Sequence, residues 1–366
     1  MSNVLDYISW RGDLSFDVIP CNEVDNFIFC MASYVDFNRT YESYNPDVKI
    51  SIHNAAVSFC ESYDLKALRQ NIGTTLPWND IRRMMSRMSG SARFGDVGIS
   101  DFVNIIDPEL QMQFSATVFH ISDREMFVAF RGTDGTLIGW KEDLRLSYLN
   151  DVPAQLRAKQ YLCDVARKYP SKDIIIGGHS KGGNLAEYAA VHADDDVMSR
   201  IVTVYNNDGP GFLPDSDAEK CEIEEKIKNY LPQSSLVGQI LSHKGQMNIV
   251  KSVYLGVYQH DIFGWEVLGQ SAVRVKQFTR VGEKNHEIFG MRINEMSLDE
   301  RREFVDVFCQ IVDATGANTL SELSEARLKN TASFLRSFKG LSKEQKQLML
   351  DFIARLFASG ASQSTK

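Results

Sequence analysis

The run IIIGGHSKGGNLAEYAA, residues 174–190, constrains this chain more than any other stretch. Ile174, Ile175 and Ile176 are β-branched and unbroken by polar residues, the pattern of a strand buried on both faces of a parallel sheet. Leu185, Ala186, Ala189 and Ala190 then recur at helical spacing, so the order is strand, sharp turn, helix. The turn carries Gly178-His179-Ser180-Lys181-Gly182, a G-x-S-x-G sequence in the one context that gives it meaning.

The spacing has a chemical reason. A Cβ at position 178 or 182 would crowd the adjoining strand and helix, so glycine at both lets Ser180 stand out above the sheet. The first helical turn then offers unpaired N–H groups and the positive end of a dipole, where a developing oxyanion is stabilised. The Lys181 N–H is the first such donor. A phosphate-binding turn would need the order G-x-x-x-x-G-K-[ST], which is absent here.

A serine hydroxyl is a poor nucleophile without a base to take its proton and a carboxylate to orient that base. Asp208 directly follows the apolar run 201–207 (IVTVYNN), and His260 follows the run 249–259. Both would project from the same sheet edge as Ser180, in the chain order Ser, Asp, His. Asn207-Asp208-Gly209 is also a strong turn signal, which leaves Asp261 as the alternative acid; His286 is the alternative base. His179 should point away from Ser180. A second oxyanion donor belongs on the loop after the strand ending FVAFRGT, where Thr133 has both an N–H and a hydroxyl.

With 366 residues, 43% hydrophobic and 24% charged, the chain can bury a large α/β core. Its net charge of −8 argues against nucleic acid as a partner. Residues 1–13 lack both a signal-type apolar region and a membrane span, and six scattered cysteines show no C-x-x-C pair. A cytoplasmic location with reduced thiols is the expectation.

Helices are expected over 23–36, 52–68, 78–88 and 153–168, the last with Asp151 as its cap and Pro153 in its first turn. An antiparallel hairpin is expected over 113–121 and 126–131, followed by the βαβ unit that contains Ser180. The interval 209–248, with a charged helix over 218–230, reads as a cap insertion, and 273–281 as an edge strand. From 296 the pattern is helical, with capping boxes at Ser297 and Ser342 and an apolar stripe Leu348, Phe352, Ile353, Leu356, Phe357. The expected division is therefore a domain over 1–295 and a C-terminal helical region over 296–366.

FVAFRGT, followed by Trp140 and Asp143 and then GHSKGGNLA, resembles the fungal-type class 3 lipase pattern, in which the Thr133 position is an oxyanion residue. More closely, the chain is similar to a bacterial family of lipase-like α/β-hydrolases of unknown function, through LDYISWRGDLSF, DGPGF, LPQSSLVG and QHDIFGWEV. The resemblance spans nearly the whole chain and implies an α/β-hydrolase fold. It also departs from class 3 lipases, whose acid lies in a D-x-V-P segment; here Ser235-Leu236-Val237-Gly238 has no aspartate, and Asp208 would substitute. Its DGPGF setting is similar to the placement after the sixth strand in pancreatic-type lipases.

The resulting expectation is a serine hydrolase of carboxylic esters, lipid or acyl esters favoured, using Ser180, His260 and Asp208 with the N–H groups of Thr133 and Lys181. The Lys181 side chain, awkward at a positive helix end, would meet an anionic acyl group. Trp140, Phe212, Leu236 and Trp265 are candidates for an acyl pocket. No metal or organic cofactor is required, and a membrane surface is an expected transient contact. The alternatives are a hydrolase fold retained for binding or scaffolding, and a thioesterase or acyltransferase.

Overall fold

The strand expected at 174–176 is the fifth of eight described strands in one sheet. A computed structural model describes residues 1–40, 45–62, 77–213, 223–291, 295–313, 316–319, 343 and 346–347. In it the strands lie side by side in chain order: β1 (Ile50–Ser51), β2 (Gly98–Asp107), β3 (Met112–His120), β4 (Glu125–Phe130), β5 (Asp173–His179), β6 (Ile201–Asn207), β7 (Ile227–Pro232) and β8 (Gln246–Val250). The first four are antiparallel neighbours, and β4 to β8 are parallel.

Successive right-handed crossovers that advance in one direction put their helices on one face of the sheet. The two between β4, β5 and β6 are α6 (Pro153–Lys168) and α7 (Lys181–Val191), and both pack there. Ile174 and Ile176 share that core with Leu162, Leu185 and Ala189, whereas Ile175 points to the other face, toward Phe27 and Tyr205. That second face is covered by α1 (Val4–Arg11), α2 (Glu23–Ala32), α3 (Ile52–Ser62) and α4 (Trp78–Ser89). The result is the α/β-hydrolase architecture, a mostly parallel sheet between helical layers.

The opening LDYISWRGDLSF is held by one buried ion pair. Arg93 Nε and Nη2 reach the Asp25 carboxylate at 2.8 and 2.5 Å, and Nη1 donates to the carbonyls of Leu14 and Ile19. Tyr7 adds its hydroxyl to Asp25, and the Arg93 guanidinium lies 3.9 Å from the Phe16 ring centroid. Sequence reading gave neither charged residue a role.

Several expectations change. Strand β2 was not anticipated, because a bulge between Ser100 and Val103, with Asp101 at φ 54°, breaks its alternation. The first long helix stops at Ala32, four residues short of the expected end at 36. The N-cap of α6 is Val152, whose N–H is taken by Gln155 Oε1 at 2.9 Å; Asp151 instead accepts the Tyr188 hydroxyl. The helix expected over 218–230 is, within the described residues, a short 3-10 turn (Glu224–Lys226) and then β7. Inserted between β6 and β8, Ile227, Tyr230 and Leu231 bury their side chains, so sheet pairing overrides the helical charge spacing. Within the expected cap interval 209–248, β7 and the start of β8 belong to the sheet, and 214–222 lie outside the described residues.

Of the expected edge strand, only Val273–Val275 runs along β8, through Lys251 N to Val273 O and Val275 N to Ile249 O; α8 (Arg280–Asn285) follows. In the C-terminal region α9 (Leu298–Asp313) begins at the Ser297 and Glu300 box and packs on α5 (Leu137–Arg145). Lys141 Nζ meets Asp313 at 2.5 Å, and Leu137 N–H donates to Asn318 O at 2.9 Å. The Ser342 box and the 348–357 stripe lie outside the described residues. Cys21, Cys30, Cys60, Cys163 and Cys309 are free thiols; Cys221 is not among the described residues.

His120, buried in β3, accepts or donates through Nε2 to Ser100 Oγ at 2.8 Å. Burial, with Lys49 and Lys172 nearby, pushes its pKa down to about 3. The folded state therefore refuses a proton that the unfolded chain takes near 6.5, so this stability is full above 6.5 and lost as pH falls toward 3. His120→Gln should flatten the dependence of Tm on pH between about 6.5 and 5, measured by thermal unfolding; an unchanged slope would remove His120 from the account.

Candidate active site

Ser180 directly follows β5 and caps α7 at φ 59°, ψ −134°, a region non-glycine residues avoid at a cost of about 1–3 kcal/mol. The strain is held by Ser180 N–H donating to Asn207 O at 3.0 Å and by Gly183 N–H donating to Ser180 O at 2.8 Å. Both flanking glycines are sterically required. A Cβ at Gly178 would strike the Gly182 carbonyl, and one at Gly182 the Phe130 carbonyl of β4. The side chain of Ser180 is left half-buried at the C-terminal edge of the parallel strands, where open α/β sheets bind ligands.

At the same edge, Asp208 leaves β6 with φ 51° and no exposure. Its Oδ1 accepts the Ser235 hydroxyl at 2.5 Å and Gly238 N–H at 3.1 Å, and its Oδ2 is 2.6 Å from His260 Nδ1. A carboxylate already saturated by donors makes His260 Nδ1 the protonated nitrogen and leaves Nε2 with its lone pair. His260 itself closes a short 3-10 turn (Gly256–His260) beyond β8 and is half-buried. Neither rival joins this pair. Asp261 turns back to accept Phe263 N–H at 2.9 Å, and burial raises its pKa to about 7. His286 is exposed at the end of α8 with no hydrogen bond to Ser180 or Asp208 among the described residues.

The loop after β4 lies against the serine: a Cβ at Gly132 would come 3.0 Å from Ser180 Cβ. Beside it, the Thr133 hydroxyl donates to Asp143 Oδ2 at 2.5 Å. That hydroxyl is committed, so the N–H is the group Thr133 leaves available. No hydrogen bond among the described residues occupies the N–H of Thr133 or of Lys181.

The Lys181 side chain corrects the expectation of an anionic acyl contact. Its Nζ is wholly buried, donating to Gln113 O at 2.8 Å and paired with Glu142 Oε2 at 3.0 Å. Glu142 also accepts the N–H groups of Gln113 and Ala154, and Asp143 Oδ1 lies 3.8 Å from the ammonium. Burial pushes the Asp143 pKa up to about 6, against the opposing charge of Lys181.

Of the acyl-pocket candidates, Trp140 and Leu236 are half-buried, the first on α5 and the second on the turn after β7 that also carries Ser235 and Gly238. Phe212 and Trp265 belong to the core instead. Phe212 packs on Tyr188, and Trp265 is fully buried, edge-on to Phe27 at 5.1 Å with Nε1 donating to Gln259 O. Sequence reasoning missed Ser235, Gln113, Glu142 and Tyr34; only Ser235 had a signal, the LPQSSLVG string that lacks the class 3 aspartate yet donates to Asp208. Among the described residues no cluster of His, Cys, Asp and Glu is arranged to hold a metal, and no helix is long and apolar enough to cross a membrane.

Two solved structures are similar in part. One is a fungal lipase in complex with an inhibitor, described as a model for interfacial activation in lipases, with 17% identity, a TM-score of 0.35, and coverage of 54% of this chain and 78% of that one. The other is M37 lipase, with 14% identity, a TM-score of 0.32, and coverage of 45% and 64%. No curated protein sequence matches the chain. A family model described as Mbeg1-like matches residues 88–310, more than half of the chain, and the chain therefore belongs to this lipase-like family.

Proposed function

We propose that the protein is a serine hydrolase of carboxylic esters, with lipid or acyl esters its favoured substrates. The observation that carries this reading is the 2.6 Å contact between Asp208 Oδ2 and His260 Nδ1, at the sheet edge where Ser180 is held in a strained turn. Ser180 Oγ attacks the ester carbonyl as His260 Nε2 takes its proton. The carbonyl oxygen, now an oxyanion, receives the N–H groups of Thr133 and Lys181. Collapse releases the alcohol, protonated by His260, and leaves Ser180 acylated. Water, deprotonated by the same Nε2, then cleaves the acyl-enzyme and restores the serine.

Asp143 has a supporting part in this scheme, since its carboxylate fixes the Thr133 hydroxyl and hence the loop that offers the N–H. Asp143→Asn should lower kcat about 10-fold with little change in KM, because one oxyanion donor is loosened rather than removed. A loss confined to KM would place Asp143 in substrate binding instead.

The reading is tested by mixing the enzyme with p-nitrophenyl acyl esters of several chain lengths. A burst of one product equivalent per chain, absent from Ser180→Ala, supports the acyl-enzyme. No burst and no turnover with any chain length would favour a binding or scaffold role.

A further inference from the structure

His179, the residue before the serine, is buried and has no part in the proton transfers above, yet it makes two directional hydrogen bonds. Its Nε2 is 2.8 Å from the backbone carbonyl oxygen of His260, and its Nδ1 is 3.0 Å from the Tyr34 hydroxyl. A carbonyl only accepts, so Nε2 carries the proton, and burial keeps the ring neutral by lowering its pKa well below the usual histidine value. Nδ1 must then accept from the Tyr34 hydroxyl, which lies against Gly132, where a Cβ would strike the tyrosine oxygen. The chain of bonds runs from Tyr34, just beyond α2, through the serine turn to the backbone of His260.

The residue before His260 is anchored separately, Gln259 taking Trp265 Nε1–H on its carbonyl and Ser234 N–H on its side chain, each at 2.8 Å, and His179 adds the hold on the His260 carbonyl itself. The 3-10 turn of His260 begins at Gly256, at φ 59°, directly after Leu255, which is 81% exposed, so the entry to the turn is solvated. Asp208 fixes one ring nitrogen but not the backbone that carries the ring. The His179 ring also lies against that of His260, with centroids 4.4 Å apart.

We propose that His179 is a positioning residue that ties the backbone of His260 to the serine turn, with Tyr34 fixing the tautomer that makes the tie. This rests on the reading of Ser180 and His260 given above. An imidazole displaced by a fraction of an ångström loses its alignment with Ser180 Oγ while substrate binding is unaffected.

The test uses the full chain with His179→Phe, which keeps a ring and deletes both bonds, His179→Gln, whose amide can donate to the His260 carbonyl and accept from Tyr34, and Tyr34→Phe. Thermal unfolding checks that each folds. His179→Phe should lower kcat and the rate of fluorophosphonate labelling about 10- to 100-fold, with KM within about twofold. His179→Gln should recover most of that loss, and Tyr34→Phe should show a smaller one. In a His260→Ala background His179→Phe should cost nothing further, because it acts through the missing imidazole. Wild-type rates in His179→Phe, or an equal loss in both backgrounds, would overturn the proposal. If the wild-type chain does not label at all, the catalytic reading fails separately. The tie is then read from the downfield proton resonance of the His260 Nδ1–H on Asp208, expected in the wild type and broadened or absent in His179→Phe; persistence of a sharp signal in that variant would refute it.

Discussion

Asp208→Asn should lower kcat for an activated ester by about 10³- to 10⁴-fold, with the protein still folded. The size of the loss follows from which way the new amide must face. Asp208 Oδ1 accepts from Ser235 Oγ and Gly238 N–H, so an asparagine satisfies both only with its oxygen on that side. Its NH₂ group then faces His260 Nδ1 and donates, forcing the ring proton onto Nε2, the nitrogen that must accept from Ser180. The variant should keep its shape while holding the histidine in the wrong tautomer. A loss below about 10-fold, or a larger one in Asp261→Asn, would move the acid away from Asp208.

The second large effect is on stability. Lys181→Met leaves Glu142 as a buried carboxylate with two backbone donors and no counter-charge. Breaking one side of a buried pair in this way costs about 3–5 kcal/mol. The loss is structural in a specific sense, because Glu142 joins β3 at Gln113, the start of α6 at Ala154 and the first residue of α7. Urea unfolding should show the full destabilisation in Lys181→Met, and the double variant Lys181→Met with Glu142→Gln should recover much of it, since no unpaired charge then remains. A change under about 1 kcal/mol would mean that water reaches the pair.

The serine turn was legible in the sequence because everything that makes it is local: a β-branched run, two glycines without room for a Cβ, and a small-residue helix within 174–190. Asp208 and His260 were readable one step further out, as polar residues directly after apolar runs. Their closeness depends on the parallel order of β6, β7 and β8. The charge spacing of Glu224, Glu225 and Lys226 predicts a helix running to 230, and only the neighbours in the sheet make 227–232 a strand. The partners of Lys181 were out of reach for the same reason. Gln113 and Glu142 lie far from it in sequence, and a lysine after the nucleophile gives no local sign that its ammonium turns inward. Tyr34 and His179, 145 residues apart, are joined only by folding.

The central claim, that Ser180 is an activated nucleophile, is tested most directly by exposing the purified full-length chain to a fluorophosphonate and reading the adduct by intact mass and peptide mapping. The account predicts one phosphonyl group per chain on Ser180, none on Ser180→Ala, and labelling slowed sharply by His260→Ala. A folded wild-type chain that takes up no label, or carries it on another residue, would contradict it.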